Sequence, residues 1–153
     1  MDQMMADIAS MGGELFVMDD GWFGDKYPRK NDSSSLGDWV VDKNKLPNGI
    51  GGLLSDAKKH GVKFGIWIEP EMANTTSELY EKHPDWVLKA SERDVVLGRG
   101  GTQVVLDLAN PAVQDFVFGV VDNLMTSYPE IDYIKWDANM SVQNHGSQYL
   151  TKD

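Results

Sequence analysis

The segment from Ile131 to Asn139 reads Ile-Asp-Tyr-Ile-Lys-Trp-Asp-Ala-Asn. Tyr133, Ile134 and Trp136 favour strand. Alternation with a period of two then sets Tyr133, Lys135, Asp137 and Asn139 on one side. A lysine, a carboxylate and an amide converging where a strand ends make a poor core. They suit a site that must hold a charged nucleophile. Two other apolar runs end in the same manner: Glu14 to Met18 runs into Asp19-Asp20-Gly21-Trp22, and Val62 to Ile68 runs into Glu69-Pro70-Glu71-Met72.

Between these runs lie helical signals. Met4, Met5, Ile8 and Met11 recur at helical spacing, closed by Gly12 and Gly13. Ile50 to His60 reads as a helix closed by Gly61, and Thr76 to His83 as a short one stopped by Pro84. Asn110-Pro111 opens a longer helix, with proline in its first turn, that runs to about Tyr128. Trp86 to Lys89 reads as a brief extended piece, Ser91 to Gly101 as a loop or hairpin turn, and Gln103 to Leu108 as a short strand. Ser141 to Asp153 is polar and carries no clear element. Strands alternating with helices predict an α/β fold with a parallel sheet. In such folds the carboxyl ends of the strands form the active face. From Phe23 to Gly52 the chain is rich in Gly, Asp, Ser, Asn and Pro. That stretch is longer than the ~12–15 residues usual for a connector without structure of its own, and so reads as a functional loop.

A chain of 153 residues supports one domain with a real core. With 14 basic and 24 acidic residues its net charge is −10, which removes the basic footprint that nucleic acid needs. There is no cysteine, so disulfide and thiolate chemistry are excluded. His60, His83 and His145 are scattered and read as surface or capping residues, so no metal site is expected. No run approaches the ~20 apolar residues of a membrane span. The first ten residues lack a basic region and an apolar run, so no signal peptide is expected and the expected location is cytoplasmic. Asn31, Asn74 and Asn139 each begin a glycosylation tripeptide, without a secretory context to support it.

Each polar cluster has a plain structural reading. A strand-end aspartate often caps the next helix. Asp38 reads as ordering the long loop, and Glu69 and Glu71 as shaping a pocket rim or pairing locally. Adjacent carboxylates such as Asp19 and Asp20 repel each other and need donors, and sugar hydroxyls are good ones. Alternation turns Trp136 away from the other site residues, toward helix packing. Trp39, on the long loop, is the better candidate for a sugar or subunit contact.

The chain resembles the bacterial α-galactosidases of glycoside hydrolase family 36, whose catalytic domain is a (β/α)8 TIM barrel. The motifs that carry the resemblance are Glu14 to Gly24, Leu36 to Trp39, Lys45 to Gly49, Phe64 to Met72, His83 to Trp86, Leu106 to Leu108 and Tyr133 to Asp137, in that order. The resemblance implies that residues 1–153 form about half of such a barrel, its second to fourth strands with their helices, without the family's N-terminal sandwich domain. It implies a retaining two-carboxylate reaction with Asp137 as nucleophile. Asp19 and Asp20 would bind the galactose 4- and 6-hydroxyls, Trp67 would line the sugar pocket, and Lys135 and Arg99 would reach the sugar or the nucleophile. Asn139 would lie near the 2-hydroxyl. The acid/base would come from a later strand, beyond Asp153. Galactose-containing oligosaccharides of the raffinose or melibiose type would be the substrates, and no cofactor is required.

Physical chemistry supports the same roles. A lysine two residues away on the strand face favours an ionised Asp137, a strand end is a rigid mount, and fixed negative charge stabilises an oxocarbenium-like transition state. Two other readings remain open: a galactose-binding remnant without catalysis, and a magnesium-dependent phosphoacceptor module built on the aspartate pair. A half barrel exposes sheet edges and apolar faces, so self-association or membership of a longer chain is expected.

Overall fold

The computed structural model describes residues 1–143 and 145–150. Asn144 and residues 151–153, within the polar stretch after Ser141, lie outside the described residues. Three strands form a parallel sheet in the order β1-β2-β5: β1 is Leu15–Met18, β2 is Lys63–Ile68 and β5 is Tyr133–Trp136. The register pairs Val17 with Gly65 and Met18 with Ile66, then Gly65 with Tyr133 and Trp67 with Lys135. Helix α1 (Asp2–Ser10) precedes β1, α2 (Gly49–His60) lies between β1 and β2, and α4 (Pro111–Ser127) leads into β5. This is the expected partial barrel, with each of these three strands within a residue or two of its predicted limits.

Local chemistry accounts for the boundaries. Helix α2 stops at Gly61, which takes the left-handed conformation (φ 69°) that glycine adopts without penalty. Helix α4 starts at Pro111, and the Asn110 side chain accepts the backbone N–H of Ala112. The strand faces then divide the sheet. Phe16, Phe64, Ile66 and Ile68 share one face and are almost wholly buried in one apolar cluster with Met5, Ile50, Leu53, Val120 and Leu124 from the helices. The opposite face carries Val17, Gly65, Trp67, Tyr133 and Lys135. A Cβ at Gly65 would stand 3.0 Å from the Tyr133 ring, so a larger residue there would push that ring aside.

The long loop after β1 is ordered by its own side chains. Trp22 and Phe23 are fully buried, and the Trp22 indole donates to the Trp67 carbonyl at 2.9 Å. Asp38 accepts the backbone N–H groups of Glu78 and Leu79 at 2.9 and 3.0 Å, which ties the loop to the start of α3 (Glu78–Lys82). Asp38 therefore organises the loop as expected, and burial pushes its carboxyl above the usual range.

The short strand expected from Gln103 is present, ending at Val105 rather than Leu108, and lies outside the parallel sheet. It forms β4 (Gln103–Val105), antiparallel to β3 (Met72–Asn74), in a separate two-stranded sheet. Strand β3 is only three residues long and follows the Glu69–Glu71 cluster directly, so it has no period of its own. The extended piece predicted from Trp86 begins instead as a 3-10 turn over Pro84–Trp86, followed by a single bridge from Val87 to Leu106. Proline at the first position favours that turn. No helix among the described residues is long and apolar enough to cross a membrane.

Candidate active site

One step beyond the paired residues, the strand register carries Asp19 to the level of Trp67 and Lys135, and Asp137 to the level of Glu69. Side-chain bonds close this arrangement. Lys135 Nζ reaches over β2 to donate to Asp19 Oδ2 at 2.9 Å. The Trp67 indole Nε1 donates to Asp137 Oδ2 at 2.9 Å. The Asp137 backbone N–H donates to the Ile68 carbonyl at 2.8 Å, and its Oδ1 accepts the N–H of Ala138 at 2.9 Å. The Asn139 side chain also favours the charged form of Asp137.

These bonds set the charges. Asp137 is held below the usual carboxylate range, first by the Trp67 indole and then by Asn139. Lys135 contributes only as a more distant charge. Its ammonium is engaged by Asp19, which is in turn lowered, chiefly by Lys135, while Lys135 is raised, chiefly by Asp19. The expected agent of Asp137 ionisation was Lys135. The indole takes that part because it makes a direct hydrogen bond, which outweighs a charge that lacks one.

Asp20 turns the other way. Arg29, only 5% exposed, grips it with two bonds: Nε to Oδ1 at 3.0 Å and a terminal nitrogen to Oδ2 at 2.7 Å. The other terminal nitrogen donates to the Ser34 carbonyl and to Asn74 Oδ1, both at 2.9 Å. Asn74 is fully buried and stitches the loop to β3. Its Oδ1 also accepts the N–H of Leu36, and its amide donates to the carbonyls of Asp32 and Thr102. Lys45 bonds the carbonyls of Gly21 and Arg29. The donors that the aspartate pair requires are thus supplied by protein, Lys135 for Asp19 and Arg29 for Asp20.

Arg99 sits at a glycine-flanked turn with φ 48° and pairs with Asp32 at 2.5 Å. Asp32 lies 3.7 Å from Arg29, so Arg99 joins the outer end of a charge ladder rather than bonding Asp137 or Asp19. Trp136 does face away from the site, but no helix covers it among the described residues. It is 45% exposed and donates to Glu71 Oε1 at 2.9 Å. Trp39 packs against Trp22, Phe23 and Trp67. It also lines a cavity of about 600 Å³ with Trp86 and Phe116. None of the seven predicted site residues lines that cavity.

Arg29 and Glu69 are the participants that sequence reasoning placed least well. A pointer to Arg29 existed, since two adjacent carboxylates call for a nearby cation and Arg29 lies in the loop that follows them. Glu69 is 2% exposed, and its Oε1 accepts the N–H of Asn139. Burial pushes its carboxyl above the usual range.

Comparison with known proteins places this geometry in a family. The Melibiase family model matches residues 1–153. The chain is similar to a probable α-galactosidase C of Aspergillus flavus, 45% identical over 147 residues, covering 92% of this chain and 19% of that protein. It is similar to α-galactosidase AgaA of Geobacillus stearothermophilus, 46% identical over 142 residues, covering 93% and 19%. The crystal structure of the family 36 enzyme AgaA superposes with a TM-score of 0.89 at 43% identity, covering 98% of this chain and 20% of that one. An AgaA variant solved in complex with raffinose gives 0.88 at the same identity, with the same coverage. The chain thus spans about a fifth of the length of the relatives it matches. Matching along its whole length, and sharing the fold of the family 36 enzymes, the chain belongs to the melibiase family of glycoside hydrolases.

Proposed function

We propose that this chain is the nucleophile-bearing part of the barrel of a retaining α-galactosidase. In this reading Asp137 attacks the anomeric carbon of a terminal α-linked galactose and forms a galactosyl ester, which water then cleaves. The observation that carries it is the Asp137 carboxylate at the carboxyl end of a parallel sheet, aimed by the Trp67 indole and kept ionised by it. A carboxylate so fixed is ready both to attack and to stabilise positive charge at the sugar. The relatives named as α-galactosidases support the reaction class, and AgaA variants in complex with raffinose and stachyose support the substrate class. Family membership also favours this reading over the phosphoacceptor alternative.

The other roles follow from position. Asp19 and Asp20, held by Lys135 and Arg29, present oxygens to the galactose 4- and 6-hydroxyls. Asn139, close to Asp137, stands near the 2-hydroxyl, and Trp67, almost wholly buried, backs the sugar site through the indole edge that bonds Asp137. Arg99 acts at the rim through Asp32. The proton for the leaving group comes from a carboxyl on a later barrel strand, outside this segment. The whole reaction uses carboxylates alone.

An activated fluorogalactoside, whose leaving group needs no acid, tests the assignment on the chain itself. The expected result is a covalent adduct located on Asp137 by peptide mass spectrometry. Galactose binding without an adduct would make the chain a binding remnant, and neither binding nor an adduct would overturn the reading. The pH dependence of labelling adds a second check. Asp137 is depressed, so labelling should persist into acid below the usual carboxylate range. Trp67→Phe removes the main cause, so the acidic limb should move upward, toward the ~3.9 of an unperturbed aspartate.

A further inference from the structure

We propose that Glu69 is a positioning residue for the nucleophile: its buried carboxyl clamps the Asp137–Asn139 turn onto the end of β2, and so fixes where the Asp137 carboxylate points. This rests on the galactosidase reading for its catalytic consequence but not for its structural content.

Three observations carry it. Glu69 is 2% exposed, yet among the described residues no lysine or arginine forms an ion pair with it. Arg99 acts on it only as a more distant charge. A buried carboxyl without an ion pair is expensive, and a leucine would fill the same volume without that penalty. Its hydrogen bond goes instead to Asn139: Oε1 accepts the backbone N–H, and the Asn139 side chain also favours the charged carboxyl. Asn139 lies two residues after Asp137 in the same turn, and its side chain favours the ionised Asp137 carboxylate. The turn after β5 is otherwise tied to β2 by the Asp137 N–H on Ile68 and by the Trp67 indole. Glu69 is therefore the polar attachment at the far end of the turn, beside the burial of Met140 in the core. Without it, Asp137 keeps the indole bond but loses the oriented amide on its other side. Burial raises the Glu69 carboxyl, as expected of a group held in place for its geometry rather than for its charge. The plain alternative is that Glu69 merely stabilises the fold.

Two variants separate these readings. Glu69→Gln keeps a carbonyl oxygen that accepts the Asn139 N–H, whereas Glu69→Leu keeps the volume and removes every acceptor. Labelling by the activated fluorogalactoside should stay near the wild-type rate in Glu69→Gln. It should fall about a hundredfold in Glu69→Leu, the loss typical of a misplaced reacting group. Galactose affinity should fall by less than the labelling rate, since Asp19 and Asp20 stand on another element and only the Asn139 contact with the 2-hydroxyl is disturbed. Amide hydrogen exchange supplies the structural readout. Asn139 should exchange about tenfold faster in Glu69→Leu, the effect of one lost hydrogen bond, while core amides such as Ile66 stay protected.

Wild-type labelling of Glu69→Leu would overturn the proposal. So would uniformly faster exchange across the core, which would mark a purely structural role. If the wild-type chain is not labelled at all, the galactosidase reading fails. Asn139 exchange in wild type against Glu69→Leu then decides the clamp on its own: selective acceleration at Asn139 upholds it, and no change removes it.

Discussion

Asp137→Asn is expected to slow covalent capture of an activated fluorogalactoside by about ten-thousandfold or more, the scale on which losing a nucleophile acts, while leaving galactose binding nearly intact. The substitution is close to isosteric. The carboxamide oxygen still accepts from the Trp67 indole, so the turn keeps its place. What is lost is the ionised oxygen that attacks the anomeric carbon, and with it the negative charge beneath the developing oxocarbenium ion. Binding survives because the residues assigned to the sugar hydroxyls, Asp19 and Asp20, follow β1 and are held by Lys135 and Arg29 rather than by Asp137. Adduct formation followed by intact mass, and galactose binding followed by calorimetry, separate the two effects. Undiminished labelling of Asp137→Asn would move the nucleophile to another carboxylate, with Glu69 the nearest candidate along the strand register.

The parts of this fold legible from sequence are those with a strong local signal. Strands β1, β2 and β5 are apolar runs with abrupt polar ends. Helices α2 and α4 carry Gly61 after one and Asn110-Pro111 before the other. What was not legible depends on long-range pairing. Met72-Ala73-Asn74 has no strand pattern of its own and becomes β3 only because Gln103–Val105 returns beside it. Arg29 sits in a loop of prolines and polar residues with no period to mark burial. It is buried because Asp20, Ser34 and Asn74 converge on it from three directions. The spacing of Lys135 and Asp137 suggested a pair, but consecutive same-side residues stand ~6.6 Å apart along a strand, and the flexible lysine finds Asp19 two strands away. The site's residue types could be read from the motifs, whereas its pairings follow from strand order.

Removing the Arg29 side chain is the second large effect: Arg29→Met should destabilise the chain by about 3 kcal/mol, the low end for breaking a buried ion pair. The low end applies because the Asp20 side chain is 30% exposed and regains some water, whereas that of Arg29 is 4% exposed. The loss is not confined to one pair. Asp20 loses both of its bonds to the guanidinium, Asn74 loses a donor in a fully buried setting, and the Ser34 carbonyl loses its partner. For a domain with ~5–15 kcal/mol in total, that is a large share. Arg29→Lys should recover little, because a point charge cannot satisfy Asp20 through two parallel bonds and reach Asn74 as well. The exposed pair Lys26–Glu81 supplies the contrast. Lys26→Ala should leave the denaturant midpoint nearly unchanged, since both partners already face water. Denaturant midpoints for the three variants, read beside galactose affinity, test whether the loop after β1 is one cooperative piece. If it is, Arg29→Met lowers the midpoint and weakens galactose binding together, because the guanidinium that stabilises the loop also holds the Asp20 carboxylate in place. A variant as stable as wild type would show that the fold does not depend on that guanidinium.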